Sequence, residues 1–148
     1  MGMWWGQGRD HHARRVVEAV VAAFNGRDFA ALHAHLLPGF TLIDSMGESV
    51  SGRDKVVPLL QKLVACDPQF QMHVEEITSY ADHILLTGHT TGAHHLSAQQ
   101  RTLWKILVRD GGVAEWRSYS ANTSQPFVRL LTGAEDFERR VSIPAAQT

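Results

Sequence analysis

The chain has 148 residues and a formal net charge of −1, with 44% hydrophobic and 20% charged residues. This length and composition are typical of one globular domain built around a single core. The near-neutral balance and the absence of a block of like charges argue against a nucleic-acid partner. No apolar run approaches the roughly 20 residues needed to span a membrane, so we expect no membrane partner.

The cysteine and histidine content bears on location and metal binding. Cys66 is the only cysteine, so no internal disulfide can form. The N-terminal residues lack the charged start and apolar middle of a signal peptide, and we expect a cytoplasmic protein. The nine histidines show no H-E-x-x-H spacing and no Cys/His cluster. We therefore expect no metal site.

Helical periodicity starts at Asp10, after residues 1–9, for which we expect a flexible N-terminal arm. Valine and phenylalanine recur at three- and four-residue spacing over residues 16–24, which predicts an amphipathic helix. Asn25-Gly26 supplies its C-terminal stop. Asp28 can cap a second, short helix.

We expect this second helix to end at Pro38-Gly39. Residues 40–45 then have the pattern of a first strand, followed by a turn at Met46-Gly47 and a short partner strand over residues 48–51. The order of these segments predicts a small hairpin between the second and third helices.

The third predicted helix runs to about Ala65, and its start depends on Pro58. If Asp54 is the N-cap, Pro58 falls in the first turn, where its missing N–H costs little. A start at Gly52 would place Pro58 in the helix interior, at a cost of about 3 kcal/mol. We therefore predict Asp54 as the cap.

Alternating apolar and polar residues predict further strands after the third helix, joined as hairpins, over residues 70–80, 84–91, 101–109 and 113–121. Asp110-Gly111-Gly112 is the strongest hairpin signal. Helices that precede the strands indicate an α+β fold rather than a parallel sheet. We expect one domain over residues 10–124 and a C-terminal tail over residues 125–148.

Asp44 is the residue of greatest chemical interest. Phe40, Leu42 and Asp44 share one face of the first predicted strand, because successive side chains alternate. Either Asp44 ends the strand at a solvated rim, or it lies on the wall of an apolar pocket. In the second case the shielded carboxylate becomes a usable base.

Three stretches together indicate a family. They are V-V-E-A-V-V-A-A-F-N-G-R-D over residues 16–28, the strand, turn and G-R-D helix start over 40–57, and the hairpin K-I-L-V-R-D-G-G-V-A-E-W-R-S-Y over 105–119. In this order the chain resembles the nuclear transport factor 2-like superfamily, in its branch of SnoaL-like polyketide cyclases and ketosteroid isomerases. The resemblance implies a cone-shaped α+β barrel, in which three N-terminal helices pack on a curved, mainly antiparallel sheet around an apolar cavity. It also implies a homodimer formed through the outer sheet face.

The resemblance implies that Asp44 is a general base, since T-L-I-D at 41–44 matches the T-x-E-D type strand of ketosteroid isomerases. In those enzymes two proton donors oppose the base. Here the helix-one Tyr of the family matches Val20, and its second, protonated Asp falls at Trp104 or Lys105. This difference argues against steroid isomerisation.

The cyclase-like branch has a late-strand Asp, which falls here near Ala121 or Asn122. Asn122 can polarise a carbonyl but cannot remove a proton at neutral pH. If the last strand keeps the facing of the family, Trp116, Ser118, Ser120 and Asn122 point inward as ligand contacts.

Four further residues are candidate ligand contacts: Val20, Phe40, His73 and Trp104. Trp104 could donate its indole N–H to a ligand oxygen, or could pack in the core. His73 alternates with apolar neighbours, so it qualifies only if its own strand face is the cavity face.

Two functions remain open. The first is a cofactor-independent isomerase, dehydratase or cyclase, in which Asp44 removes a proton from a small apolar carbonyl compound. Trp104 or Asn122 would steady the oxyanion. The second is a non-catalytic ligand-binding or dimerisation module. An open pocket with Asp44 and a donor converging favours the enzyme, whereas a cavity filled by Phe40, Trp104 and Trp116 favours the module.

Overall fold

A computed structural model describes residues 2–93, 101–120 and Thr132, with side chains described from Asp10 onward. The helices are α1 (Gly2–Asn25), α2 (Phe29–His35) and α3 (Arg53–Cys66). The strands are β1 (Leu36–Ile43), β2 (Ser49–Ser51), β3 (Gln71–Tyr80), β4 (His83–Thr91), β5 (Thr102–Arg109) and β6 (Gly112–Ser120). Within these residues no helix is long and apolar enough to cross a membrane.

The strands form one curved sheet in the order β2-β1-β6-β5-β4-β3. Neighbouring strands are antiparallel except β1 and β6, which run parallel. The three helices pack on the sheet, and the core between them contains fully buried residues such as Val17, Val56 and Ile106. This confirms the predicted α+β fold. The sheet is not closed into a barrel in the described part of the chain, since β2 and β3 are its edges.

Helix α1 begins at Gly2, eight residues earlier than the predicted start at Asp10. Residues 2–9 therefore continue the helix, and the predicted start at Asp10 was wrong, whereas the flexibility of the N-terminal arm stays a prediction. The physical reason is cooperativity, because a helix that already exists gains a hydrogen bond with each added residue and pays no new nucleation cost. The predicted apolar stripe of α1 is buried, from Val16 to Phe24.

Helix α2 is capped as predicted, since the Oδ1 atom of Asp28 accepts the backbone N–H of Ala31 at 3.1 Å. Its buried face is formed by Leu32, which is 2% exposed. The helix ends at His35, so it is shorter than the predicted segment that ran to Pro38-Gly39.

Strand β1 begins at Leu36, four residues before the predicted start at Phe40. Leu36 pairs with Val113 of β6, and the register then shifts before the pairing resumes at Thr41. Pro38-Gly39 lies in this irregular and exposed part, where a proline need not donate to the sheet. The early start depends on a partner strand distant in sequence, which local pattern does not reveal.

Helix α3 has Gly52 as its N-cap and Pro58 inside it, so the predicted cap at Asp54 was wrong. Gly52 has a φ of +99°, a conformation that side chains disfavour, and its carbonyl accepts the N–H groups of Lys55 and Val56 at 3.0 and 2.9 Å. These are the first hydrogen bonds of the helix, and Gly52 makes no side-chain cap. Pro58 is exposed, so the carbonyl that its ring leaves without an N–H partner lies near water.

The hairpin between β5 and β6 forms where predicted. Asp110 and Gly111 have φ values of 53° and 79°, and Arg109 pairs with Gly112 across the turn. Positive φ at both central residues is the signature of a type I′ turn, for which Asp-Gly is a preferred sequence.

Side chains of α1 cover the outer edge of β3. Asn25 donates from Nδ2 to the carbonyl of Met72 at 2.8 Å and accepts the N–H of Met72 on Oδ1 at 2.9 Å. Arg14 donates to the carbonyl of Ile77 at 3.3 Å. These bonds occupy backbone groups that an edge strand would otherwise present to another chain.

Candidate functional site

A cavity of about 180 Å³ lies between the helices and the inner face of the sheet. Aromatic rings form a large part of its wall, namely Phe24, Phe40, Phe70, Trp104 and Trp116. Aliphatic side chains complete the apolar part, namely Val20, Leu32, Leu36, Leu42, Leu60, Leu63 and Met72. Such a mainly apolar wall suits a small organic molecule.

Polar side chains also line the cavity, namely Asp44, Ser45, Thr90, Thr102, Ser118 and Ser120. They come from strand ends that meet at one end of the sheet. Because β1 and β6 are parallel and β5 is antiparallel to β6, the ends of β1 and β6 lie beside the start of β5. Thr102 is directly opposite Ser120 in this register. The polar groups are therefore gathered on one side of an otherwise apolar cavity.

Asp44 lies in the wall of the cavity and is 3% exposed. Its Oδ1 atom accepts the backbone N–H groups of Met46 and Glu48 at 2.9 and 3.0 Å. Its own backbone N–H donates to the carbonyl of Glu48 at 2.9 Å, and its carbonyl accepts the N–H of Gly47 at 3.0 Å. Asp44 thus organises the turn between β1 and β2, and the turn in return fixes the orientation of the carboxylate. The sequence left two positions open for Asp44, a solvated rim or the wall of a pocket, and in the structure the side chain lies in the wall.

Ser45 joins the end of β1 to β6. Its hydroxyl donates to the carbonyl of Ser118 at 3.3 Å and accepts the backbone N–H of Ser120 at 2.9 Å. The residue next to Asp44 is therefore fixed to the strand that carries Trp116. Ser45 carries no distinctive signal in the sequence, since a serine after a strand is common in turns.

Thr90 and Thr102 were also missed, although the sequence carries a signal for both. Ile84 and Leu86 are buried, so the period of two places Thr90 on the same face of β4. The same alternation from Trp104 places Thr102 toward the cavity.

Several residues singled out from the sequence lie together in the cavity wall: Val20, Phe40, Trp104 and Trp116. Trp104 is 4% exposed and Trp116 is 7% exposed. Trp104 therefore belongs to the core and to the cavity wall at once, and the two alternatives for this residue are compatible. The facing expected for the last strand is correct, since Ser118 and Ser120 line the cavity with Trp116.

His73 lies on the other side of the sheet. Its neighbour Met72 lines the cavity, while the Nε2 atom of His73 lies 2.8 Å from Oγ1 of Thr91 and its ring stacks on His89 at 4.8 Å. The condition for His73 to contact a ligand is therefore not met. The predicted contact at Asn122 lies outside the described residues.

A second buried acid, Asp67, was missed from the sequence. It is fully buried at the C-cap of α3, close to Arg27. Arg27 donates to the carbonyls of Phe24, Pro68 and Phe70. Burial lowers the pKa of Arg27, and the negative charge of Asp67 opposes this shift. The cluster holds two of the cavity's aromatic residues in place.

The arrangement has the elements of acid–base chemistry. A carboxylate shielded from water can accept a proton from a bound molecule, and hydroxyl groups beside it can donate to a developing oxyanion. Within the described residues, no three His, Cys, Asp or Glu side chains are placed to hold a metal ion.

Solved structures share this fold at low sequence identity. A protein named provisionally as a SnoaL-like polyketide cyclase, from Jannaschia sp. CCS1, is 18% identical with a TM-score of 0.66, covering 76% of this chain and 87% of that chain. A protein named provisionally as a ketosteroid isomerase, from Kribbella flavida, is 16% identical with a TM-score of 0.63, covering 79% and 83%. A protein of unknown function with a cystatin-like fold, from Xanthomonas campestris, is 19% identical with a TM-score of 0.67, covering 75% and 92%.

At this identity the structural likeness shows the fold alone. Among curated proteins, none matches the sequence. The family profile of the SnoaL-like domain matches residues 17–116, more than half of the 148-residue chain. The matched segment runs from helix α1 to Trp116 in the cavity wall and includes Asp44. The chain therefore belongs to the SnoaL-like domain family, with the nuclear transport factor 2-like fold.

Proposed function

We propose that this protein binds a small, mostly apolar carbonyl compound in the cavity and that Asp44 acts on it as a general base, without a cofactor. The observation that carries the proposal is the position of Asp44, which is 3% exposed on the polar side of an otherwise apolar cavity, with Oδ1 held by two backbone N–H groups. A carboxylate held in a fixed orientation beside a bound molecule can act as a general base. Relatives of the same fold are named for isomerase and cyclase activity, which agrees with this chemistry.

The proposed reaction begins with transfer of a proton from the carbon beside the carbonyl to the carboxylate of Asp44. The electron pair of the C–H bond moves toward the carbonyl oxygen and forms an enolate. Return of the proton to another carbon completes an isomerisation. The indole N–H of Trp104 and the hydroxyl of Ser118 are the candidate donors to the enolate oxygen, since both residues line the cavity.

The test uses cyclohex-3-enone, a one-ring ketone that isomerises to the conjugated cyclohex-2-enone when a base moves one proton. The absorbance of the product measures the rate. Asp44→Asn should lower this rate at least ~100-fold, in line with the usual contribution of a positioned base. The Oδ1 atom of asparagine can still accept the two N–H groups, so the turn should persist.

Asp110→Asn is the matched control, because it makes the same change in an exposed turn far from the cavity. This variant should keep the wild-type rate. Equal rates for wild type and Asp44→Asn would rule out the proposed base.

A non-catalytic dimerisation module is the second candidate, and the outer face of the sheet favours it. Lys105 and Arg117 lie directly opposite each other on β5 and β6, an arrangement of like charges that destabilises a sheet. Within the described residues the Nε atom of Arg117 is buried and has no hydrogen-bond partner. Glu115 lies two residues away on the same face, so Glu115 of one copy could pair with Arg117 of another across a two-fold axis.

Light scattering tests this candidate. We expect a mass about twice the 16.5 kDa of the chain, and a monomer for Arg117→Glu. A wild-type monomer at ~100 µM would exclude the dimer, since stable interfaces form well below this concentration.

A further inference from the structure

We infer that the cavity selects an uncharged, one-ring molecule that carries a hydroxyl group, and that it rejects anions of the same size. This inference rests on the proposed function and deepens it, because it concerns the same cavity and adds a hydroxyl group to the proposed carbonyl compound. It does not depend on catalysis by Asp44.

The volume of the cavity limits the ligand to about one ring. The cavity measures about 180 Å³. A dry protein cavity of ~150 Å³ binds benzene, so the present cavity accommodates one ring with a small substituent. A fused system of several rings exceeds the volume of this cavity. The wall suits a flat ring, since Trp104, Trp116 and Phe40 offer aromatic surface.

The charge of the wall disfavours an anion. Asp44 is the one ionisable side chain among the described lining residues, and none of these residues is a lysine, arginine or histidine. A bound carboxylate or phosphate would lose its hydration and would lie in the same small cavity as another carboxylate. Like charges at such short range repel strongly where water is scarce.

The hydrogen-bonding groups favour a hydroxyl over an ammonium. The polar side of the cavity combines the Asp44 carboxylate, which only accepts, with hydroxyls such as those of Thr90 and Ser118, which donate and accept. A ligand hydroxyl can donate to the carboxylate and accept from a serine or threonine. An ammonium can only donate, and the hydration that it loses on burial can exceed its attraction to the Asp44 carboxylate.

The experiment compares probes that share one ring and differ in one substituent: toluene, benzyl alcohol, benzylamine and benzoate. Dissociation constants are measured by NMR titration of the full chain. Benzyl alcohol should bind at least ~10-fold more tightly than benzoate, a difference of about 1.4 kcal/mol, and more tightly than toluene and benzylamine. The inference would be overturned if benzoate or benzylamine bound more tightly than benzyl alcohol, or if benzyl alcohol did not bind below ~10 mM.

Two variants assign the binding to the cavity. Asp44→Asn removes the negative charge of the cavity. The ratio of the dissociation constants of benzoate and benzyl alcohol should therefore fall at least ~5-fold, while the dissociation constant of toluene stays constant. Leu60→Trp replaces an isobutyl side chain with a bulky indole at a half-buried lining position of α3 and should abolish binding of all four probes. Binding that persists in Leu60→Trp would show that the probes bind elsewhere, and the inference would fall.

The outcomes separate this inference from the proposed function. Selective binding of benzyl alcohol without isomerisation of cyclohex-3-enone would remove the catalytic proposal and leave the inference standing. Isomerisation that depends on Asp44, together with equal binding of the four probes, would support the catalytic proposal and overturn the inference.

Discussion

The Oδ1 atom of Asp44 lies 3.0 Å from the backbone nitrogen of Glu48, and this hydrogen bond closes the turn that holds the carboxylate in the cavity wall. One residue therefore has a structural role and is also the proposed base. A loss of activity in a variant of Asp44 has two possible causes, so the two roles must be separated. Asparagine and alanine separate them, because only asparagine keeps an oxygen at the Oδ1 position.

We predict that Asp44→Ala lowers the free energy of unfolding by about 2–3 kcal/mol, because two N–H groups of the turn lose a charged acceptor. Asp44→Asn should lower it by less than about 1 kcal/mol. Urea unfolding followed by circular dichroism measures both values. Equal losses in the two variants would show that the charge, and not the acceptor geometry, stabilises the turn.

The second prediction concerns Gly88 of β4. A Cβ atom at this position would lie 1.9 Å from the carbonyl oxygen of His73, next to the register shift between Val74 and Glu76. Backbone cannot move aside as a side chain can, so Gly88→Ala should cost more than about 3 kcal/mol or prevent folding. Thermal unfolding is the measurement.

The matched control is Gly39→Ala in the irregular part of β1, where a Cβ atom meets nothing within 4 Å. This substitution should change the free energy of unfolding by no more than about 1 kcal/mol. A similar effect of both substitutions would contradict the proposed clash at Gly88.

The third prediction concerns Arg27, which bonds three carbonyls beside the buried Asp67. Arg27→Ala should lower the free energy of unfolding by about 1–3 kcal/mol, since three carbonyls, two of them in part-buried bonds, lose a charged donor. Arg27→Lys should recover only part of this loss, because one ammonium lacks the planar fork of a guanidinium.

Arg15→Ala, an exposed substitution on helix α1, is the control and should have little effect. The urea midpoints of the three variants measure these losses, and we expect the largest loss in Arg27→Ala and the smallest in Arg15→Ala. Full recovery in Arg27→Lys would show that charge alone, rather than the geometry of the guanidinium, stabilises this cluster.

Local signals predicted much of the fold. The Asp110-Gly111 turn has the conformation that these residue types favour, and the alternation from Phe40 to Asp44 placed the carboxylate on the same face as two buried side chains. Both features depend on neighbours close in sequence. Sequence analysis was therefore informative about the β-hairpins and about the facing of the cavity strands.

The predictions were wrong or incomplete where contacts between residues distant in sequence determine the structure. The early start of β1 at Leu36 needs Val113 as its partner, and the cap of α3 depends on the backbone angle of Gly52. Asp67 is buried because its Oδ1 atom accepts the N–H of Ala93, 26 residues away. None of these relationships appears as a local pattern. The cavity volume likewise depends on how helices and sheet pack.

The last prediction concerns pH and the exposed contact between helices α2 and α3. The Nε2 atom of His33 lies 2.7 Å from Oδ1 of Asp54. This hydrogen bond lowers the pKa of Asp54 below its ordinary value of 3.8, slight desolvation opposes the shift, and the charges of His33 and Arg53 lower the pKa further. NMR titration of the Asp54 carboxyl carbon should show the lowered pKa.

Because the pKa of Asp54 is lower in the folded state, the ionised form stabilises the fold above the unfolded pKa. This stabilisation should disappear as the pH falls through the lower folded pKa. The difference in unfolding free energy between wild type and Asp54→Asn should therefore be small at about pH 5 and should vanish in the acid range. His33→Ala should raise the pKa of Asp54 toward 3.8. An unchanged titration of Asp54 in that variant would show that His33 is not the cause of the shift.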